Sequence, residues 1–210
     1  MTRDARGFTL MEMLAGMAVA MVVGAGAVTF VRAQSVAIQT QMAQTDVNDE
    51  ARAIVELMAR EIRLAGYNPR CILTPPPVAA LVVAEPQRLQ IQADLNESGT
   101  LDAGAVDSED VTYEYVAGEQ KLQRVVGGVA TDLATGVPAA NFALRYYQSS
   151  GVEIVGSGAG GALTAAERAA VYSVSIKFQP TKAADPRVAL DARADLWTNV
   201  LLRNRYYPCA

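Results

Sequence analysis

The sequence predicts an α+β protein: a long N-terminal helix, membrane-spanning in its first half, packed on an antiparallel β-sheet head. Three observations predict it. An apolar run opens the chain. Helical patterning continues past that run with no proline before Pro69. Beyond Pro69 the period changes, and short alternating segments follow one another between glycine-rich turns.

Residues 13–31 read MLAGMAVAMVVGAGAVTFV, with no charge until Arg32, and Phe8 to Met11 extend the apolar stretch forward, interrupted only by Glu12. A membrane helix needs roughly 20 such residues. A secretory signal removed after its apolar core is the plain alternative. Against it stand the length of the run, the lack of a clean polar turn carrying a small-x-small cleavage site behind it, and helical patterning that runs on past Arg32. Arg3 and Arg6 precede the span and Arg32 follows it, a modest bias towards a cytoplasmic N-terminus. The bulk of the chain then lies outside the membrane. Glu12 has two readings: a carboxylate snorkelling to the headgroups, or one that pairs with a cation from a neighbouring chain.

After the span, Val47, Ala51, Ile54, Met58, Ile62 and Ala65 recur at steps of three and four, one apolar stripe on an amphipathic helix. Arg52–Glu56 and Glu56–Arg60 are spaced to pair on the polar side. Gly66 is placed to cap the helix, and Asn68-Pro69 to stop it. From Phe8 to Ala65 the rod would measure roughly 87 Å. A plain coiled-coil stalk is the competing reading of the second half, although the stripe is no strict heptad.

In the head, strands are expected at Leu81–Ala84, Arg88–Ala93, Val111–Ala117, Lys121–Val126, Phe142–Gln148 and Tyr172–Gln179, with a last one within Asp195–Arg203. The third and fourth form a hairpin across Gly118-Glu119-Gln120. Thr164 and Glu167 form a capping box that opens a short helix or turn. Gly151–Gly161 reads as a mobile loop. Together these make one antiparallel sheet against the distal half of the helix.

Composition excludes whole classes. The chain has no histidine, which removes the commonest general base, the Ser-His and Cys-His arrangements and imidazole metal sites. Glu61, Asp110 and Glu114 are carboxylates, but nothing marks two of them as a catalytic pair. A membrane-anchored periplasmic enzyme is therefore the weaker reading, and no enzyme is expected. With a net charge of −4, the chain is a poor match for a nucleic-acid binder. Cys71 and Cys209 are too few for a zinc site. In an oxidising compartment they suit one disulfide, worth about 4–5 kcal/mol in the chain-entropy model; otherwise they are two free thiols.

The segment Arg6-Gly7-Phe8-Thr9-Leu10-Met11-Glu12 resembles the prepilin processing motif, in which a basic leader ends in glycine and the mature chain begins FTLxE. The resemblance implies cleavage by prepilin peptidase between Gly7 and Phe8, N-methylation of Phe8, and an assembly role for Glu12 towards the new amine of a neighbouring subunit. The fold implied is the type IV pilin-like fold. Its parts are a leader at 1–7, a transmembrane and assembly helix at 8–31, the periplasmic half of the helix at 32–66 and a β-rich head at 67–210. The helix end LMAREIRLAGY, Cys71 behind it, and the VTYEY and LRYY segments resemble PilW-type minor pilins; the GspJ pseudopilin of type II secretion has a similar plan. The implied partners are other pilins and minor pilins, prepilin peptidase and the inner membrane, with the head in the periplasm and later on the pilus.

One further pattern concerns metal. Asp94, Asn96, Ser98, Thr100 and Asp102 place oxygen ligands at steps of two, with Gly99 among them, like the opening of a calcium loop. Ala105 stands where a bidentate glutamate is expected, so Glu109 or Asp107 would have to fold back. Calcium and a solvated acidic turn both fit the pattern. No cofactor is required by either.

Overall fold

The computed structural model describes residues 9–70, 78–102, 109–182 and 192–204. Helix α1 spans Leu10–Leu64, close to the expected bounds. Its buried residues are Val47, Ala51, Ile54, Val55, Met58, Ala59 and Ile62. That is the predicted stripe, widened by Val55 and Ala59 into a face broad enough to lie on a sheet. No described residue before Val47 is buried. Arg52, Glu56 and Arg60 stay exposed, and no ion pair forms between them among the described residues. In solvent such pairs gain little for the side-chain freedom they lose.

The helix ends where the sequence placed its stop. The Ala65 N–H still reaches the Glu61 and Ile62 carbonyls, at 3.1 and 3.2 Å. Gly66 then turns to φ +80°, the left-handed region glycine enters without strain. A Cβ at this position would lie 2.9 Å from the Ala80 Cβ and 3.0 Å from the Asn204 carbonyl oxygen. Conformation and space both demand glycine. The Asn204 amide donates to the Arg63 and Leu64 carbonyls, each at 3.4 Å, and so covers two acceptors that a helix end leaves open.

The described residues of the head form two main antiparallel sheets rather than the single one expected. In the first, β1 (Leu81–Ala84), β2 (Arg88–Gln92), β3 (Asp110–Val116), β4 (Lys121–Val126) and β5 (Val129–Ala134) pair in chain order. The second pairs β6 (Phe142–Tyr147), β7 (Glu153–Ile154), β8 (Ser173–Phe178) and β11 (Leu196–Leu201) in the order β11-β8-β6-β7. A short ladder joins β9 (Thr181–Lys182) to β10 (Ala192–Arg193). Every pairing among the described residues is antiparallel.

The turn between β1 and β2 is the corner where the sheets meet. Its carbonyls at Ala84, Glu85 and Pro86 accept from the Leu163 N–H, the Tyr146 hydroxyl and the Leu144 N–H, at 2.8, 2.7 and 2.8 Å. Behind that corner Tyr115 stacks on Phe142, and Phe142 meets Phe178 edge-on, with centroids 6.3 and 6.4 Å apart. One apolar cluster runs from Val47 through both sheets to Leu202. Helix α1 packs chiefly against β11 of the second sheet and β10 of the short ladder.

The stretch Gly151–Gly161 is folded, contrary to the mobile loop expected. It contributes β7, which pairs with the end of β6. It then closes a tight 3-10 turn at Ala159–Gly161 before helix α2 (Ala165–Ala170). The Gly158 N–H meets the Ala162 carbonyl at 2.9 Å. Small residues here let the backbone approach itself. The expected capping box opens α2, with the Thr164 N–H on the Glu167 carboxylate at 2.7 Å.

Candidate functional site

Two regions carry the candidate chemistry: the free N-terminal part of α1, and the places where α1 is fastened to the head. Within α1 lies a span apolar enough to cross a bilayer, and none of it is buried against the rest of the protein. Exposure is high throughout, from Leu10 at 77% to Val31 at 60%. Residues 10–31 cover about 33 Å, the thickness of a bilayer core. The remaining free turns, up to Met42, form a stalk of about 16 Å before the head begins.

Glu12 sits at the first turn of this helix. Its Oε2 accepts the Thr9 N–H and the Thr9 hydroxyl, both at 3.0 Å, while the Glu12 N–H donates to the Thr9 oxygen at 3.3 Å. Thr9 and Glu12 thus form a complete capping box. Neither sequence reading of Glu12, snorkelling to the headgroups or pairing with a neighbouring chain, includes this local role. The signal was present: Thr-x-x-Glu is the pattern recognised at 164–167. Gly7 and Phe8 lie outside the described residues, and so do Cys71 and Cys209.

At the near edge of the head, the Gln44 amide pairs with the backbone of Arg193. Its Nε2 donates to the Arg193 carbonyl, and its Oε1 accepts the Arg193 N–H at 3.2 Å. A side-chain amide here replaces a strand neighbour for β10. At the far edge, Glu61 reaches across to the first sheet. Arg124 grips its carboxylate with two bonds, Nη2 to Oε1 at 2.7 Å and Nε to Oε2 at 3.2 Å. The Tyr113 hydroxyl donates to the same Oε2. Tyr113 is fully buried. Burial first, and the Glu61 carboxylate second, hold its phenol well above the usual range.

The six oxygen-bearing residues singled out for calcium do share one loop, between β2 and β3. Asp94 is fully buried and accepts the N–H groups of Ser98 and Gly99, at 3.1 and 3.2 Å. Glu109, equally buried, accepts from Leu95 and Asn96 at 3.0 and 3.1 Å and from Asp102 at 2.8 Å. It does fold back, as the sequence required, but onto backbone N–H groups. Among the described residues no group of three or more His, Cys, Asp or Glu is placed to hold a metal ion.

The remaining carboxylates have separate partners. Asp110 accepts the Gln90 and Gln92 amides at 2.8 and 3.0 Å, and Glu114 accepts from Gln123. Glu61 is held by Arg124 and Tyr113.

Residues 2–28 match the family model described as the prokaryotic N-terminal methylation motif. No curated protein and no solved structure matches the chain. The chain therefore carries the N-terminal signal of type IV pilins and pseudopilins, ahead of a long helix and antiparallel sheets laid out as in the type IV pilin-like fold.

Proposed function

We propose that this chain is the precursor of a minor pilin, a subunit that helps start a type IV pilus or stands at its tip. Prepilin peptidase removes residues 1–7 and methylates Phe8. The helix anchors the subunit in the inner membrane with the head in the periplasm, until the subunit enters the filament. One observation carries this reading. The methylation motif runs straight into a helix whose apolar half is buried against none of the described residues, while its distal half is fastened to a β-rich head. The PilW-like helix end supports the minor-pilin branch.

Glu12 has a defined part in this reading. In the lone subunit its carboxylate closes the capping box, so the charge has donors even in the apolar phase. A charged amine adds the attraction of opposite charges, which the neutral Thr9 donors do not supply. The Phe8 amine of a neighbour would therefore compete for Glu12 and fix the axial register of the two helices.

Mass spectrometry of protein extracted from membranes tests the reading: the mature chain is expected to begin at N-methylated Phe8. An uncut Met1, or a chain beginning near Ala33, overturns it. Deleting the gene should remove surface pili and leave type II secretion intact; the reverse outcome assigns the chain to a secretion piston.

Calcium at residues 94–109 is a separate proposal. The gathering of oxygens in one loop supports it, and their present use as acceptors for backbone N–H groups opposes it. Calorimetric titration decides: heat with the parent that is lost in Asp94→Asn/Asp102→Asn supports calcium, and identical traces overturn it.

A further inference from the structure

Asn96-Glu97-Ser98 is the one Asn-x-Ser/Thr tripeptide with a non-proline centre in the whole chain. That pattern is the acceptor for N-linked glycans, and it works only where a transferase can reach it. All three residues are exposed. They form the crest of the loop between β2 and β3, above a buried base.

The base holds the crest in place. The Asp94 and Glu109 carboxylates are both buried, and they bind the N–H groups of Leu95, Asn96, Ser98 and Gly99. On that base, Asn96 Oδ1 accepts the Ser98 N–H at 2.8 Å and closes an Asx turn. Glu97 takes φ +57° at its centre. The turn sends the Asn96 side chain outward instead of folding it into the head.

The amide nitrogen of Asn96 carries two hydrogens. One donates to Asp102 Oδ2 at 2.9 Å. The second takes part in no described hydrogen bond. A substituent can therefore replace it without breaking the loop, and the bond to Asp102 survives.

The loop is also on the right side of the molecule. The Tyr67 hydroxyl donates to Glu97 at 2.9 Å, and the Tyr67 carbonyl accepts the Asp94 N–H at 2.8 Å. Those bonds pin it to the end of α1 opposite the apolar span. With the topology proposed above, on which this inference rests, that end faces away from the membrane on its outer side.

We propose that Asn96 is an N-glycosylation site, and that the donor is a glycan carried on a membrane lipid pyrophosphate and transferred by a membrane oligosaccharyltransferase. In the transfer, Asn96 Nδ2 forms a bond to the anomeric carbon. The bond from that carbon to the pyrophosphate oxygen breaks, and its electron pair leaves with the lipid pyrophosphate. One amide proton passes to a base. Nothing is oxidised or reduced.

The test is peptide mass spectrometry of the full chain, purified from its own cells. The peptide containing Asn96 is expected to be heavier by a whole number of sugar residues. Asn96→Gln and Ser98→Ala should each abolish the increment, and Ser98→Thr should keep it. An unmodified parent peptide overturns the proposal, and so does an increment that survives Asn96→Gln. The Ser98→Thr variant keeps the test open should Asn96→Gln disturb the loop. The same spectra report the N-terminus. A chain starting at Phe8 with a bare Asn96 sinks the glycan site and leaves the pilin reading standing. A chain not cut before Phe8 sinks the pilin reading, and an increment at Asn96 still supports the site.

Discussion

Replacing Arg124 by methionine lowers the stability of the folded chain by about 3 kcal/mol, because it strands a carboxylate that Arg124 alone neutralises among the described residues. Glu61 and Arg124 side chains are 18% and 19% exposed, so little water is available to take the guanidinium's place. For a chain of this size such a loss lowers the melting temperature by roughly 6–12 °C. Tyr113→Phe removes one hydrogen bond to a charged group and costs less, about 1.5–3 kcal/mol. The triple change Glu61→Met/Arg124→Met/Tyr113→Phe should recover most of the loss, since it removes the charge along with its partners. Thermal melts of the detergent-solubilised chain, followed by far-ultraviolet circular dichroism, measure each step. Parental stability in Arg124→Met would show that the pair is solvated and inert.

Glu109→Ala is expected to cost about 3–4 kcal/mol. Three N–H groups, on Leu95, Asn96 and Asp102, lose their acceptor together, and each stranded buried donor costs about 1–3 kcal/mol, with part recovered by entering water. Glu109→Gln should fall about midway. Its amide oxygen still accepts from Leu95 and Asn96, but its NH2 group then faces the Asp102 N–H, donor against donor. Hydrogen exchange gives the local readout: protection at residues 95, 96 and 102 should fall together in Glu109→Ala. Unchanged protection would mean that the carboxylate does not hold the loop.

The long helix was legible because its signals are local. The apolar run, the three- and four-residue stripe and the Gly66 stop each reside in a few adjacent residues. The same holds for the strands with strong alternation, such as β3 and β8. Strand β5 was missed, although Gly127-Gly128 announces it. Both glycines take positive φ, 56° and 79°, and Val126 pairs with Val129 across them. That is the two-residue hairpin which Gly-Gly favours. Its open faces hid it, since residues 129–132 are all exposed and give no alternation. The division into two sheets was not readable at all. Periodicity tells which face of a strand is buried, but the corner at residues 84–86 is built by partners some 60–80 positions away.

The candidate site divides the same way. Glu12 stands out by its incongruous charge, whereas its bond to Thr9 rests on a capping pattern that the apolar run around it masks. In the sequence Glu61 is a carboxylate with nothing beside it to mark a partner. Its partners are a tyrosine and an arginine on the far sheet, joined to it by tertiary folding alone.

The two fastenings of α1 also decide how the subunit bears load. Gln44 and Glu61 grip different strands at points about 26 Å apart along the helix axis. A pull on the membrane end of the rod runs parallel to that axis. It shears both grips and the apolar face between them at the same time, instead of peeling them open in turn. Tension is shared along the interface, and the head is towed as one piece.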